Sequence, residues 1–180
     1  MTPMRSRPSL ASTATILLLA ACAGAPAPTH DAAPPEAAAR AVLDSMLADG
    51  RRAHLETDPR RLAAGLADSL VSLDAGAVSV QPRDSVRAMF VRYFAGASYH
   101  AWEDMVPPRV ILSADRSLAW VSRVVCVDRE EPDDSGGRRR RVFVSGYSAT
   151  FAWQAGRYRM TTVTSTVLPQ PPERCPSSGA

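Results

Sequence analysis

The spacing of apolar residues predicts helices in the first half of the folded region and strands in the second half. In two stretches, apolar side chains recur at intervals of three and four residues, which places them on one face of a helix. These stretches predict helices over residues 36–55 and 83–95. Between them, Asp58-Pro59 has the pattern of an N-cap followed by proline at the first helical position, which predicts a short helix. The face positions are Leu43, Met46, Leu47 and His54 in the first helix, Leu62 and Leu66 in the short one, and Val86, Met89, Phe90, Tyr93 and Phe94 in the third.

Runs with a period of two predict strands. Two are short, over residues 69–73 and 77–80, and four are longer, over 99–112, 118–128, 142–153 and 158–168. The last two form a hairpin around a glycine turn, and Phe143, Tyr147, Phe151 and Trp153 share one face of its first strand. Pro107-Pro108 interrupts the strand over 99–112, which we therefore expect to be an edge strand or to contain a bulge.

This order of elements favours the α+β class, because helices and strands are largely segregated along the chain. The 180 residues suffice for one domain with a core. We expect four long strands in an antiparallel meander, within one curved sheet that wraps around about three helices as a cone.

The first residues have the pattern of a secretory signal. Arg5 and Arg7 precede an apolar run that is too short to span a bilayer and that ends Leu19-Ala20-Ala21-Cys22. This ending resembles the bacterial lipobox, in which the peptide is cut before a cysteine that is then lipidated. The alternative is an ordinary signal peptide with a chance cysteine.

The lipobox interpretation divides the chain into four segments. Residues 1–21 are a lipoprotein signal peptide, 22–38 an Ala/Pro-rich flexible tether, 39–168 the folded domain and 169–180 a Pro-rich tail. We expect a cell-envelope protein anchored to a lipid membrane through Cys22. Because no aspartate follows that cysteine, the resemblance implies the outer membrane, facing the periplasm, if the organism has two membranes.

The charge of the chain excludes one class of partner. The formal net charge is +3, and it falls to +1 without the two arginines of the leader. A nearly neutral domain offers no electrostatic basis for binding nucleic acid.

The region from about Leu43 to Leu168 resembles the NTF2-like superfamily, in particular its SnoaL-like and DUF4440 branches. The resemblance is carried by short segments whose order and spacing match: Leu66-Ala67-Asp68, Asp74-Ala75-Gly76, Arg83 to Phe94, Gly146-Tyr147 through Trp153, and Gly156-Arg157-Tyr158. Three positions depart from the family pattern: Tyr158 replaces a usual tryptophan, Thr162 and Val163 stand near a usual polar or acidic residue, and Arg123 replaces a usual glycine. The resemblance implies a pocket between sheet and helices.

Enzymes of this superfamily use a pocket carboxylate or histidine as a base, and here His54 is the candidate because it shares the apolar face of the first helix. A hydrogen-bonded core histidine is the alternative interpretation. His100, Trp102 and Asp104 alternate onto one strand face, which is either a pocket wall or an exposed edge. The predicted ligand pocket comprises Tyr93, Trp102, Asp104, Trp120, Tyr147 and Trp153.

The sequence predicts no metal and no cofactor. His30, His54 and His100 lack ligand spacing, and the chain contains no phosphate-binding loop, GxSxG or Cys-His signature. The run from Asp128 to Arg141, acidic and then basic, is typical of a long, solvated hairpin tip.

Two cysteines remain besides Cys22. In an oxidising compartment, Cys126 and Cys175 are expected to form a disulfide, because the ends of their segments point the same way in a meander. The alternative is a mobile tail with free thiols.

Three functions fit these observations. The first is a module that binds a small apolar ligand or a protein partner without catalysis. The second is a SnoaL-like or ketosteroid-isomerase-like enzyme with His54 as general base. The third is a structural homodimer that uses the sheet as its interface. The fold alone does not decide among them.

The anchor is tested by the variant Cys22→Ala, which should abolish fatty-acid labelling and alter processing of the precursor, since the lipidated residue is gone. The measurement is metabolic labelling with a fatty acid, followed by membrane fractionation. Labelled protein that still fractionates with the membrane in the variant would refute the lipobox interpretation.

Overall fold

The computed structural model describes residues 32–74, 76–168 and 172–175. The leader, Cys22 and most of the predicted tether and tail lie outside these residues. The elements are α1 (Glu36–Leu55), α2 (Pro59–Ala64), β1 (Leu66–Asp74), β2 (Ala77–Pro82), α3 (Arg83–Phe94), β3 (Ser98–Asp104), β4 (Arg109–Leu112), β5 (Leu118–Pro132), β6 (Arg138–Gln154) and β7 (Arg157–Val167).

The helices confirm the prediction from apolar spacing. Helix α1 begins and ends where the sequence indicates and buries Leu43 and Leu47. The Asp58 side chain caps α2 by accepting from the backbone N–H groups of Arg60 and Arg61, at 2.9 and 3.0 Å. Leu66 was wrongly assigned to this helix: it is buried, but it begins β1.

In the residues that the structure describes, seven strands form one curved, unclosed sheet. Its order is β2-β1-β7-β6-β5-β3, and β4 pairs with β5 beside β3. The antiparallel meander of β3 to β7 matches the prediction. The hairpin β1–β2 joins the meander through a parallel pairing of β1 with β7, which the sequence did not indicate.

The predicted strand over 99–112 is two strands. Pro107-Pro108 lie between β3 and β4, and both strands pair with β5. Proline cannot donate a backbone hydrogen bond to the ladder, so the pairing stops and resumes on the other side of the pair.

The prediction of a long, solvated hairpin tip at 128–141 is confirmed for most of its length: the chain turns at 133–137 and residues 134–141 are exposed, whereas Asp128 and Arg129 are buried. Strands β5 and β6 stay paired from Leu118 opposite Ala152 to Pro132 opposite Arg138. Their opposite charges meet across the ladder: Arg140 donates to Asp128 at 2.5 and 2.8 Å, and Arg139 donates to Glu131 at 2.9 and 3.0 Å. Cross-strand charge pairing of this kind stabilises a long hairpin.

The core lies between the helices and the face of the sheet that they cover. Leu43 and Leu47 of α1 pack against Val121 and Phe151 of the sheet, and a second cluster joins α2, β1 and α3. The opposite face, called the outer face below, has no helix against it among the described residues. One-sided coverage leaves a sheet with one apolar and one more polar surface.

Cys126 and Cys175 form a disulfide, with their Cα atoms 5.5 Å apart. Cys126 and its ladder partner Val144 lie on the outer face, yet both are buried where the end of the chain is attached. Among the described residues, no helix combines the length and apolar character that crossing a bilayer requires.

The bridge is testable by thiol titration of the unreduced, denatured chain in a Cys22→Ala background, where we expect no free thiol. Replacing both bridged cysteines with serine should lower the free energy of unfolding by about 2–4 kcal/mol, because the cross-link restricts the unfolded chain. Two free thiols per unreduced chain would disprove the bridge.

Candidate functional site

A cavity of about 620 Å³ opens between the helices and the covered face of the sheet. Most of its wall is apolar and comes from all three helices and from β1, β6 and β7. The apolar lining includes Val42, Met46, Leu47, Leu62, Ala64, Leu66, Leu70, Leu73, Val86, Met89, Phe90, Phe151, Met160 and Val163. A space of this size and lining is typical of sites for small molecules.

A buried arginine lies in the cavity wall. Arg123, on β5, is 4% exposed. Its Nε and Nη2 atoms donate to the two carboxylate oxygens of Asp104, each at 2.7 Å, in a bidentate ion pair. Burial alone lowers the pKa of the guanidinium, but the hydrogen bond to Asp104 and the contact with Tyr147 more than offset this and raise it. Arg123 is therefore a fixed positive charge that is already neutralised.

Tyr147 is the second polar group at this end of the cavity. Its hydroxyl oxygen accepts from Arg123 Nη1 at 3.1 Å, and that same nitrogen also donates to the backbone carbonyl of Leu47 at 3.4 Å. Burial raises the pKa of Tyr147, so the phenol is neutral at physiological pH. Because the oxygen serves as an acceptor to Arg123, its own O–H remains able to donate to a molecule in the cavity.

His54, on α1, is the third polar group. Its Nδ1 lies 2.7 Å from the carbonyl oxygen of Gly50 and must donate to it, because a carbonyl only accepts. The pKa of His54 is lowered to about 4: burial is the main cause, the hydrogen bond to the Gly50 carbonyl opposes it, and the positive charges of Arg123 and Arg129 add to the lowering. The ring is therefore neutral near pH 7, with an unprotonated Nε2 that can accept a hydrogen bond.

Aromatic side chains fix the His54 ring. It stacks on Trp102 with ring centroids 3.6 Å apart and planes at 21°, and it meets the edge of Phe94 at 5.6 Å. Trp102 also lines the cavity, and its buried indole N–H has no acceptor among the described residues. The three rings of this cluster thus come from three elements: His54 from α1, Phe94 from α3 and Trp102 from β3.

Three residues singled out from the sequence line one cavity: His54, Trp102 and Tyr147. Asp104 does not line the cavity, because its carboxylate points to Arg123. It influences the cavity only by neutralising the charge of Arg123. His100 was expected on the same face as Trp102, but a bulge in β3 turns it away, and its Nε2 lies 3.6 Å from Glu130 at the surface.

The other predicted pocket residues lie elsewhere. The guanidinium carbon of Arg129 lies over the Tyr93 ring, 4.5 Å from the ring centroid. Tyr93 is on a side of α3 that does not reach the cavity. Trp120 is on the outer face and is 40% exposed, because its strand alternates and the neighbouring Val121 takes the covered side. Trp153 packs edge-on against Tyr158 at 5.1 Å, as part of the core.

Arg123 is the site residue that sequence reasoning missed. It was noted as a departure from the family pattern, but no role was assigned to it. The available signal was a lone charge inside the apolar run from Val121 to Val127, since a charge buried in a strand requires a partner. The partner, Asp104, is not adjacent in sequence, and only the pairing of β3 with β5 brings it near. Among the described residues, no group of three His, Cys, Asp or Glu side chains could hold a metal ion.

Comparison with known proteins finds similar folds. No family model matches the chain, and no curated protein matches it. A ketosteroid isomerase-like protein from Erwinia carotovora atroseptica is similar in structure, with a TM-score of 0.57, 14% identity, and coverage of 72% of this chain and 96% of that one. An NTF2-like protein from Cytophaga hutchinsonii has a TM-score of 0.57 and 12% identity, over 72% of this chain and 98% of that one.

A third similar structure, an NTF2-like protein with a cystatin-like fold from Novosphingobium aromaticivorans, has a TM-score of 0.55 and 16% identity, over 74% of this chain and 84% of that one. The chain has the NTF2-like fold. Sequence identities this low show a shared fold and no shared function, so the function of this domain has to be argued from its own residues.

The depressed pKa of His54 makes stability depend on pH. The unfolded chain binds a proton near pH 6.5, and the folded chain only near pH 4, so the stability present above pH 6.5 is lost as the pH falls through this window. His54→Phe keeps a ring against Trp102 and removes the titration. Chemical unfolding at several pH values between 7.5 and 4 should therefore show a steeper loss for the wild type than for His54→Phe. An equal loss of stability with falling pH in both proteins would contradict the lowered pKa of His54.

Proposed function

We propose that this protein is a lipid-anchored module of the cell envelope whose NTF2-like domain binds a small, largely apolar ligand without catalysis. The observation that carries the proposal is the cavity of about 620 Å³, whose wall is mostly apolar and includes a polar end formed by His54, Arg123 and Tyr147. Other polar residues, among them Arg61, Asp74 and Arg157, line the cavity elsewhere. Apolar walls supply affinity by excluding water, and a few placed polar groups orient the ligand.

The polar end favours a neutral oxygen as the ligand's own polar group. The Tyr147 O–H donates to no acceptor among the described residues, while the charge of Arg123 is already matched by Asp104. A carboxylate entering this end would add an unmatched negative charge in an apolar cavity, which is costly. A ketone or a similar neutral carbonyl would accept from Tyr147 without that penalty.

The arrangement around His54 argues against acid-base catalysis. Its hydrogen-bond partner is the backbone carbonyl of Gly50, rather than a carboxylate that would raise its basicity. A pKa of about 4 makes it a weak base, whereas general bases work best with a pKa near the operating pH. The alternative, an isomerase with His54 as base, is supported by the presence of His54 and Tyr147 in the same cavity.

Binding is tested with two probes of equal chain length, 2-undecanone and undecanoate, titrated into the purified full chain by calorimetry. We expect the ketone to bind more tightly than the carboxylate. Tyr147→Phe keeps the ring and removes the donor, so it should weaken ketone binding about tenfold, the value of one hydrogen bond in a dry site. Ser165→Ala changes another polar residue of the cavity wall and should leave ketone affinity unchanged.

The same proteins separate binding from catalysis. With a β,γ-unsaturated ketone as substrate, we expect no isomerisation above background by the wild type. A clear wild-type rate that disappears in His54→Ala, with an unchanged melting temperature, would establish the enzyme instead. Absence of ketone binding, or equal effects of Tyr147→Phe and Ser165→Ala, would contradict the proposed ligand site.

A further inference from the structure

Strand β2 is an exposed, uncharged end of the sheet. Within the described part of the chain it pairs with β1 on one side only, over an uninterrupted register from Asp74 opposite Ala77 to Ser69 opposite Pro82. Val78 is 68% exposed and Val80 is 65% exposed. Edge strands are normally protected against pairing by charges, bulges or covering segments. Residues 77–81 contain no charged residue, no proline and no bulge, and Pro82 ends the strand.

The backbone groups of Val78 and Val80 point away from β1. The carbonyl oxygen of Leu73 accepts from Thr164 Oγ1 of β7 at 2.9 Å, so it is turned toward β7 and away from Val78, its partner across the β1–β2 ladder. Bonded and non-bonded pairs alternate along an antiparallel ladder, so Val71 and Val80 are also a non-bonded pair. The N–H and C=O groups of both β2 valines therefore face the free edge.

The sequence of this edge is complementary to itself. When the segment Ala77-Val78-Ser79-Val80-Gln81 runs antiparallel to a copy, with Ser79 on the two-fold axis, each Val78 lies opposite the other copy's Val80. These are the residues whose backbone groups face outward, so this register forms hydrogen bonds at both valine pairs. A two-fold contact requires such self-complementarity.

We propose that β2 pairs edge to edge with β2 of a second copy of this chain, in the register centred on Ser79. The valines of the two edges then meet on the outer face. They continue an apolar strip that starts on β1, because Val71 and Leu73 lie opposite Val80 and Val78 in the β1–β2 ladder. An unrelated peptide could use the same backbone groups, but a second copy also supplies a valine opposite each valine, and such pairs stabilise a sheet.

The register is tested by cross-linking in a full chain that carries Cys22→Ala. In the proposed dimer the two Ser79 residues form a non-bonded pair with Cα atoms about 4.5 Å apart, within the range of a disulfide. Ser79→Cys should therefore give a covalent dimer on mild oxidation. Gln81→Cys is the matched control: it is on the same face, but its two copies would lie about 13 Å apart. No cross-link with Ser79→Cys, or equal cross-linking by both variants, overturns the proposal.

The association itself is tested by sedimentation equilibrium of the full chain in mild detergent. Wild type should form a dimer in a concentration-dependent manner. Val80→Pro removes an outward N–H that the β1–β2 ladder does not use, and Val78→Lys adds charge at the edge. Each should raise the dissociation constant at least about tenfold. Trp120→Lys, a matched change on the outer face away from the edge, should not.

Circular dichroism and melting curves establish that each variant is folded. A wild type that stays monomeric overturns the proposal. So does a dimer that survives both β2 substitutions, or one that Trp120→Lys alone disrupts, because the contact would then lie on the sheet face rather than at its edge.

Discussion

The constraint on which the site depends is the burial of a permanent positive charge. The Arg123 guanidinium cannot shed its charge, so its place in an apolar wall is tolerable only if a carboxylate accompanies it. Asp104 supplies that carboxylate from β3. The remaining contacts of the guanidinium reach α1, at the Leu47 carbonyl, and β6, at Tyr147. One charge-balancing requirement thus ties three parts of the fold together and orients the phenol.

The cavity lies beside a packed core that does not fill all the space between the helices and the sheet. In that core, Phe151 and Tyr158 pack with Leu43 and Leu47, and the Tyr158 hydroxyl donates to the carbonyl of Arg116 at 2.6 Å. Small residues such as Ser145 also line the wall and leave space unfilled. A domain selected only for stability would fill that volume, since unfilled apolar space weakens a core.

The features predictable from the sequence are those with local causes. The bounds of α1 follow from apolar spacing, and α2 begins at a capping residue beside a proline, so both were predicted closely. The ion pair of Arg123 with Asp104, the parallel contact of β1 with β7 and the exclusion of Trp120 from the cavity are different. Each depends on which strands become neighbours and in what register, and a single sequence does not encode that pairing in any short window.

The Cys126–Cys175 bridge has a topological consequence. It closes a covalent ring that contains β6 and β7, and β7 is the strand that connects the meander to the β1–β2 hairpin. Exchange of a terminal strand between copies is a common route to entangled dimers. Here the last strand cannot leave its own sheet without carrying Cys175 away from Cys126. In oxidising surroundings, the bridge thus opposes exchange of the carboxyl-terminal strand between two copies, and domain swapping of the carboxyl end requires a reductant first.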